Sequence, residues 1–364
     1  MALFLGACND SEGDLLEPKV YFENKEMTID VEDEASEMSF DLTSRLSTAN
    51  SSEVNVSYTI ADASVVDDYN KQYKTEYQYF NPEDVELSSA TSVIPTGRLY
   101  AESVKLKIKN LDVLEEGKPF ILPVRVKSSI ETLPGTSMVY LFINKPVKIT
   151  KAASFSSNYV HVRFPEGTFF KSFTYEALIY PTSLYDNNTV MGTEGVMIFR
   201  IGDPGGGTPA ECLEAAGRQK YNTTQPLQIA HWYHVALTYD QPSGKTNIYI
   251  NGEVVASSEW GIEGFAPNDD VGFNIGKIPG FPWGERPFRG YMSEVRLWSV
   301  ARTRNQLQQN MLIVDPKSEG LELYYKFNGT ETQESGKIQD ATGKINGETG
   351  GIPITSLGTP VEIK

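Results

Sequence analysis

One stretch of this chain holds the residue types best suited to gripping a ligand: Lys277-Ile278-Pro279-Gly280-Phe281-Pro282-Trp283-Gly284-Glu285-Arg286-Pro287. Its prolines and glycines exclude a regular strand, yet it carries two large rings, Phe281 and Trp283, next to a carboxylate and a guanidinium. That combination suits a sugar: a ring stacks on the apolar C–H face while Glu285 and Arg286 bond the hydroxyls. Tyr185-Asp186-Asn187-Asn188 offers a complementary polar set, and Trp260, in Glu259-Trp260-Gly261, a second aromatic platform. Trp283 is the first choice of anchor, and packing of its ring beneath the loop is the competing reading.

Other residues invite chemistry, each with a structural rival. Asp186, Asp203, Asp269 and Asp270 are hard oxygen donors of the kind Ca²⁺ takes, but their spacing matches no compact calcium motif, and loop solvation explains each as well. His231 and His234, three apart, could be a metal or catalytic pair, against which stands a hydrogen-bonded core histidine at 234. No Gly-x-Ser-x-Gly, His-Glu-x-x-His or phosphate loop occurs, and Gly205-Gly206-Gly207, between Pro204 and Thr208-Pro209, reads as a plain loop.

These residues need elements to position them. The 364 residues are enough for two cores. With 48 acidic against 32 basic residues the net charge of -16 repels phosphate backbones, so nucleic acid is excluded as a partner. No run reaches the roughly 18 apolar residues of a membrane span, and two cysteines, Cys8 and Cys212, cannot make a disulfide framework. The 19 tyrosines and 17 phenylalanines suit half-buried strands, which makes all-β the expected class.

Residues 19–147 bear this out as pattern. Val54, Val56, Tyr58 and Ile60 alternate with polar residues, Val104, Leu106 and Ile108 with lysines, and Leu122, Val124 and Val126 with Pro123, Arg125 and Lys127, the period of strands with one wet face. A short helix is predicted after Asp62, taken as its N-cap, with Val65 or Val66, Tyr69 and Tyr73 near helical spacing. Tyr69-Asn70, Tyr79-Phe80-Asn81-Pro82, Val85-Glu86-Leu87, Ile94-Pro95-Thr96-Gly97 and Phe120-Ile121-Leu122-Pro123-Val124 resemble an immunoglobulin-like domain of unknown function found at the front of Bacteroidetes surface lipoproteins. That resemblance implies a β-sandwich spacer standing ahead of lectin-like or endo-N-acetylglucosaminidase-type domains.

Residues 150–364 carry a more specific signature. Trp232-Tyr233-His234-Val235-Ala236-Leu237-Thr238-Tyr239-Asp240, then Thr246-Asn247-Ile248-Tyr249-Ile250-Asn251-Gly252, spell two strands and an Asn-Gly turn. Phe273-Asn274-Ile275-Gly276, Phe288 to Trp298 and Asp340-Ala341-Thr342-Gly343 follow, with Trp298 expected to pack inward; Thr303 to Gln306 reads as a capping box opening a helix that carries Leu307 and Met311. This series resembles the laminin-G/pentraxin/concanavalin A-like jelly roll, which implies a carbohydrate-binding sandwich in which Ca²⁺ is a common cofactor. Glycosidases on this fold set their acids along one strand as E-x-D-x-x-E. Here that strand reads Glu294-Val295-Arg296-Leu297-Trp298, with one carboxylate and an arginine, so no catalytic residue is assigned and the chain is expected not to be an enzyme.

The first eighteen residues read as an address. Leu5-Gly6-Ala7-Cys8 resembles a bacterial lipobox, which implies acylation of Cys8, and the acidic stretch Asn9 to Glu17 resembles the signal for export to the outer face of the outer membrane. Together these readings give a surface lipoprotein that captures oligosaccharide or polysaccharide beside an outer-membrane glycan-uptake system, with mannose-containing N-glycans as the specific expectation. A protein-binding adhesin on the same sandwich is the alternative, and a glycosidase with unfamiliar acids a third reading.

Overall fold

The structure, a computed structural model, describes residues 17–32, 34–115 and 118–363. Leu5 to Cys8 and most of the acidic tether lie outside the described residues. The chain forms two compact units that divide between Pro146 and Val147.

In the first unit a sheet runs in the order Glu26–Asp30, Met138–Asn144, Phe120–Ser128, Val54–Ile60, Thr91–Ile94, and a three-stranded sheet in the order Glu37–Leu42, Val104–Lys109, Val85–Leu87. The period-two positions do what their spacing requires: Val54, Val56, Tyr58, Val104, Leu106, Ile108, Leu122, Val124 and Val126 share one core. The first half of the Phe120–Ser128 strand is buried on both faces because helix Ser64–Tyr73 lays Val66 and Tyr69 on Ile121 and on Phe142 of the neighbouring strand, while Arg125 and Lys127 farther along stay exposed. Asp62 is not the N-cap: Ala63 occupies that position without a side-chain bond, and Asp62 contributes its carbonyl, which accepts from Val65 N (3.0 Å).

The second unit is a sandwich of two sheets. One runs Glu253–Glu259, Lys245–Ile250, Tyr233–Asp240, Phe173–Pro181, Gly290–Trp298, Lys151–Phe155, Ile354–Ser356; the other includes Thr208–Gly217, Met197–Asp203, Asn188–Thr193, Phe273–Ile275 and Val160–Val162 as consecutive neighbours. Phe173, Tyr175, Ala177 and Ile179 enter the core between the sheets, facing Phe199, Ile201, Phe273 and Ile275. Asn251 and Gly252 both take positive φ (52° and 75°), the requirement of the tight hairpin turn that joins Lys245–Ile250 to Glu253–Glu259.

The outer face of the first sheet is covered as well. The capping box forms as expected, Thr303 accepting from Gln306 N and Gln306 from Thr303 N (2.9 Å), and helix Arg304–Gln309 sets Leu307 on Ala236 and Tyr249. Met311 falls beyond the end of that helix. Trp298 is fully buried, but under this covering segment with Val314, Leu321 and Tyr324 rather than between the sheets. The reason is a register shift at Glu294, whose φ is 53°: it turns Val295 and Leu297 toward the core, with Arg296 and Trp298 on the opposite face.

Candidate functional site

The loop after strand Phe273–Ile275 is closed and cross-tied. Phe288 N donates to Gly276 O (2.7 Å) and Ile278 N to Glu285 O (2.9 Å), which pins the loop at its base. Within it, Glu285 accepts from Gly280 N (2.9 Å) and from Lys277 Nζ (2.9 Å), and those two donors hold its carboxyl below the usual carboxylate range. Ile278 and Phe281 are buried beneath, whereas Trp283 is 79% exposed and meets Phe281 edge-on at 5.2 Å. The loop thus presents one ring to solvent on a braced support, the preorganised arrangement in which binding loses least conformational freedom.

The expected site residues divide accordingly. Trp283 stands free as a platform. Phe281 is buried as its support, and Arg286 is occupied, its guanidinium 4.7 Å over Phe281 and 2.6 Å from Glu194 Oε1. Trp260, expected as another platform, is 2% exposed: it wedges against Tyr221 (5.5 Å) and Tyr239 (6.3 Å), because its backbone N, bonded to Gly244 O (2.8 Å), anchors the chain where the ring turns into the core.

The Tyr185–Asn188 loop is brought to the same place. Thr189 N donates to Arg286 O (3.0 Å), Tyr185 OH reaches Pro287 O (3.5 Å), and Arg289 lies 5.3 Å over the Tyr185 ring. Asp186 is exposed and accepts from Asn187 Nδ2 (2.6 Å), Asn187 taking left-handed backbone at φ 56°. Behind them Asn188, fully buried, donates to Tyr185 O and Ile201 O, while Asn188 Oδ1, Thr189 Oγ1 and Ser183 Oγ have no protein partner.

The four aspartates offered for Ca²⁺ are not gathered. Asp203 is spent on Gly206 N (3.0 Å), closing the Pro204–Gly206 turn, and on Arg200 Nη2 (2.7 Å). Among the described residues no group of three or more His, Cys, Asp or Glu side chains is placed to hold a metal. What reasoning from the sequence missed is a charged row beside the loop: Arg200 binds Glu214 (2.6 Å) and Asp203, and Glu194 bridges Arg200 (3.4 Å) and Arg286. Its signal was available in Met197 to Asp203, where Arg200 interrupts the apolar residues on the face away from the core.

On the other sheet the tempting acid is shut in. Glu294 is 3% exposed and accepts from Arg296 Nη2 (2.5 Å) and from Tyr324 OH; Arg296 Nη1 reaches Glu176 Oε2 (3.0 Å), which His234 Nε2 also meets (3.1 Å). His234 is a hydrogen-bonded core histidine, and His231, exposed and bonded to Ile229 O (2.9 Å), does not join it. Glu176 and Glu294 share one arginine beneath the covering segment, an arrangement that fastens Asn310 O to the sheet through Arg296 Nη1 (2.8 Å).

Comparison with known proteins agrees with this architecture. A family model described as the concanavalin A-like lectin/glucanases superfamily matches residues 156–308, and one described as an N-terminal domain matches residues 16–131. The crystal structure of a provisionally named carbohydrate binding protein from Bacteroides ovatus is 60% identical, covers 95% of this chain and 100% of its own, and superposes with a TM-score of 0.69. The pentraxin of Limulus polyphemus shows 15% identity over 58% of this chain and 98% of its own (TM-score 0.34), and a two-domain protein of unknown function from Bacteroides fragilis 14% over 49% and 76% (TM-score 0.30). No curated protein matches the chain.

Proposed function

The chain belongs to the two-domain family of the Bacteroides ovatus protein, with a concanavalin A-like C-terminal domain, and from that premise we propose that it binds glycans at the cell surface without cleaving them. The observation that carries the reading is Trp283, a large ring held in solvent on a braced loop beside the Tyr185–Asn188 loop. Stacking on a sugar face is the use that makes sense of its exposure. The Bacteroides ovatus relative carries carbohydrate binding in its name, which favours sugar over the adhesin alternative. Non-catalysis is supported by the burial of Glu176 and Glu294 around Arg296, since a glycosidase needs two carboxyls flanking an open cleft. Incubation of the purified protein with a glycan it retains is expected to release no reducing sugar. Release that stops in Glu294→Gln would overturn that part of the account.

The remaining parts of the proposal concern place and ligand. Acylation of Cys8 would tether the protein to the outer membrane through the acidic stretch that follows, beside an uptake system for oligosaccharides, and mannose-containing N-glycans are the proposed ligand class. Cys8→Ala is expected to leave the melting temperature unchanged and to move the protein from the membrane to the soluble fraction of expressing cells. Membrane retention of that variant would refute the lipid anchor.

A further inference from the structure

A polar cavity of about 480 Å³ opens at the opposite end of strand Phe273–Ile275 from the Trp283 loop and falls within the size range of small-ligand sites. His161 and Gly272 are among its lining residues. A Cβ at Gly272 would lie 2.8 Å from His161 Cε1, and its φ is +70°, so glycine is what lets the backbone turn pass against the imidazole. The ring's hydrogen is fixed by its neighbour. Asn274 donates through Nδ2 to Val271 O (3.2 Å) and Gly272 O (2.9 Å), which leaves Oδ1 as the atom facing His161 Nδ1 at 2.9 Å. An amide oxygen only accepts, so Nδ1 carries a hydrogen, and in the neutral ring Nε2 keeps its lone pair.

The rest of the lining is rich in acceptors. Asp270 and Glu166 are exposed carboxylates, joined by Arg163, whose Nε is engaged by Glu348 (3.2 Å). Phe164 is buried, so no ring is offered as a platform, and Asn268 clamps that residue's backbone through both N (3.0 Å) and O (2.8 Å), fixing the wall. With Arg163 paired to Glu348, the two carboxylates Asp270 and Glu166 disfavour an anion and suit a partner rich in hydroxyl donors, bound by its edge rather than its face. Three residues of strand separate this cavity from the root of the Trp283 loop, roughly 10 Å at about 3.3 Å per residue.

We propose that the His161 cavity is a second sugar subsite, so that the protein grips an oligosaccharide of several units along strand Phe273–Ile275, one unit stacked on Trp283 and another hydrogen-bonded to His161 Nε2 and Asp270. The inference rests on the glycan-binding reading above, and the experiment separates the two. Long-range ¹⁵N–¹H spectra of the protein, whose three histidines are assigned by substitution, are expected to show His161 with its hydrogen on Nδ1. A neutral ring with its hydrogen on Nε2 would overturn the proposal. On a glycan array graded from mono- to hexasaccharides, His161→Ala and the milder Asp270→Asn are expected to weaken the longest ligands about tenfold and leave disaccharides unchanged. Equal affinity of wild type and both variants for every length would refute the subsite while leaving glycan binding intact. A blank array for the wild type would refute both.

Discussion

Replacing Arg296 by methionine is expected to destabilise the C-terminal unit by about 3–5 kcal/mol, the cost of removing one partner from a buried ionic cluster. The guanidinium is fully buried and binds Glu176 (3.0 Å), Glu294 (2.5 Å) and Asn310 O (2.8 Å), so its loss strands two carboxylates in the interior and unfastens the covering segment. Calorimetry should show a melting temperature lower by on the order of 10 °C. The cluster also sets an acid dependence. Burial pushes the Glu176 carboxyl up, but the His234 hydrogen bond and the charges of Arg296 and Arg302 outweigh it and bring it from 4.5 down to about 2. A depressed folded-state pKa means that the stability from Glu176 is full above the ordinary carboxylate value and is lost as the pH falls from about 4.5 toward about 2. Glu176→Gln should flatten the stability profile across that window. An Arg296→Met protein melting within about 2 °C of wild type would show that the cluster contributes little.

Trp283→Ala is expected to weaken glycan binding about thirtyfold, since an aromatic anchor in a binding site accounts for roughly 2 kcal/mol. The ring is 79% exposed and touches mainly Phe281, so its removal should leave the melting temperature within about 1 °C. Phe281→Ala is the contrast: it empties a buried position and lets the support beneath Trp283 collapse, which should lower stability and binding together. Trp283→Phe, which keeps a smaller face, should recover part of the affinity. Normal binding by Trp283→Ala with a melting temperature several degrees lower would make the ring a packing residue and move the search to Tyr185.

Strands and turns were legible in the sequence because their causes are local. Alternation at Val54 to Ile60 and the paired positive φ angles at Asn251-Gly252 are written in adjacent residues. The Trp283 loop and its neighbour at Tyr185 could also be named, since prolines and glycines mark a loop and exposed rings within it are unusual. What could not be read was partnership across the fold. Phe281 and Trp283 are two apart in the same loop, yet only the buried base beneath it decides that one supports and the other is presented. Trp260 carried the same local signature and went into the core, because its fate depends on Tyr221 and Tyr239 from distant strands. Trp298 is buried as its type suggests, but the face it enters is set by one register shift at Glu294, which exchanges the faces of every residue after it. The His161 cavity depends on Asn274, more than a hundred residues away, and nothing in the sequence near either residue announces the pairing.

Titration of the full chain carrying Cys8→Ala with a glycan chosen from an array, followed by mass analysis of the glycan after prolonged incubation, tests the central claim most directly. The account predicts saturable binding that Trp283→Ala weakens about thirtyfold, with the glycan recovered at its original mass. Binding untouched by that substitution, or recovery of a shortened glycan, would contradict it.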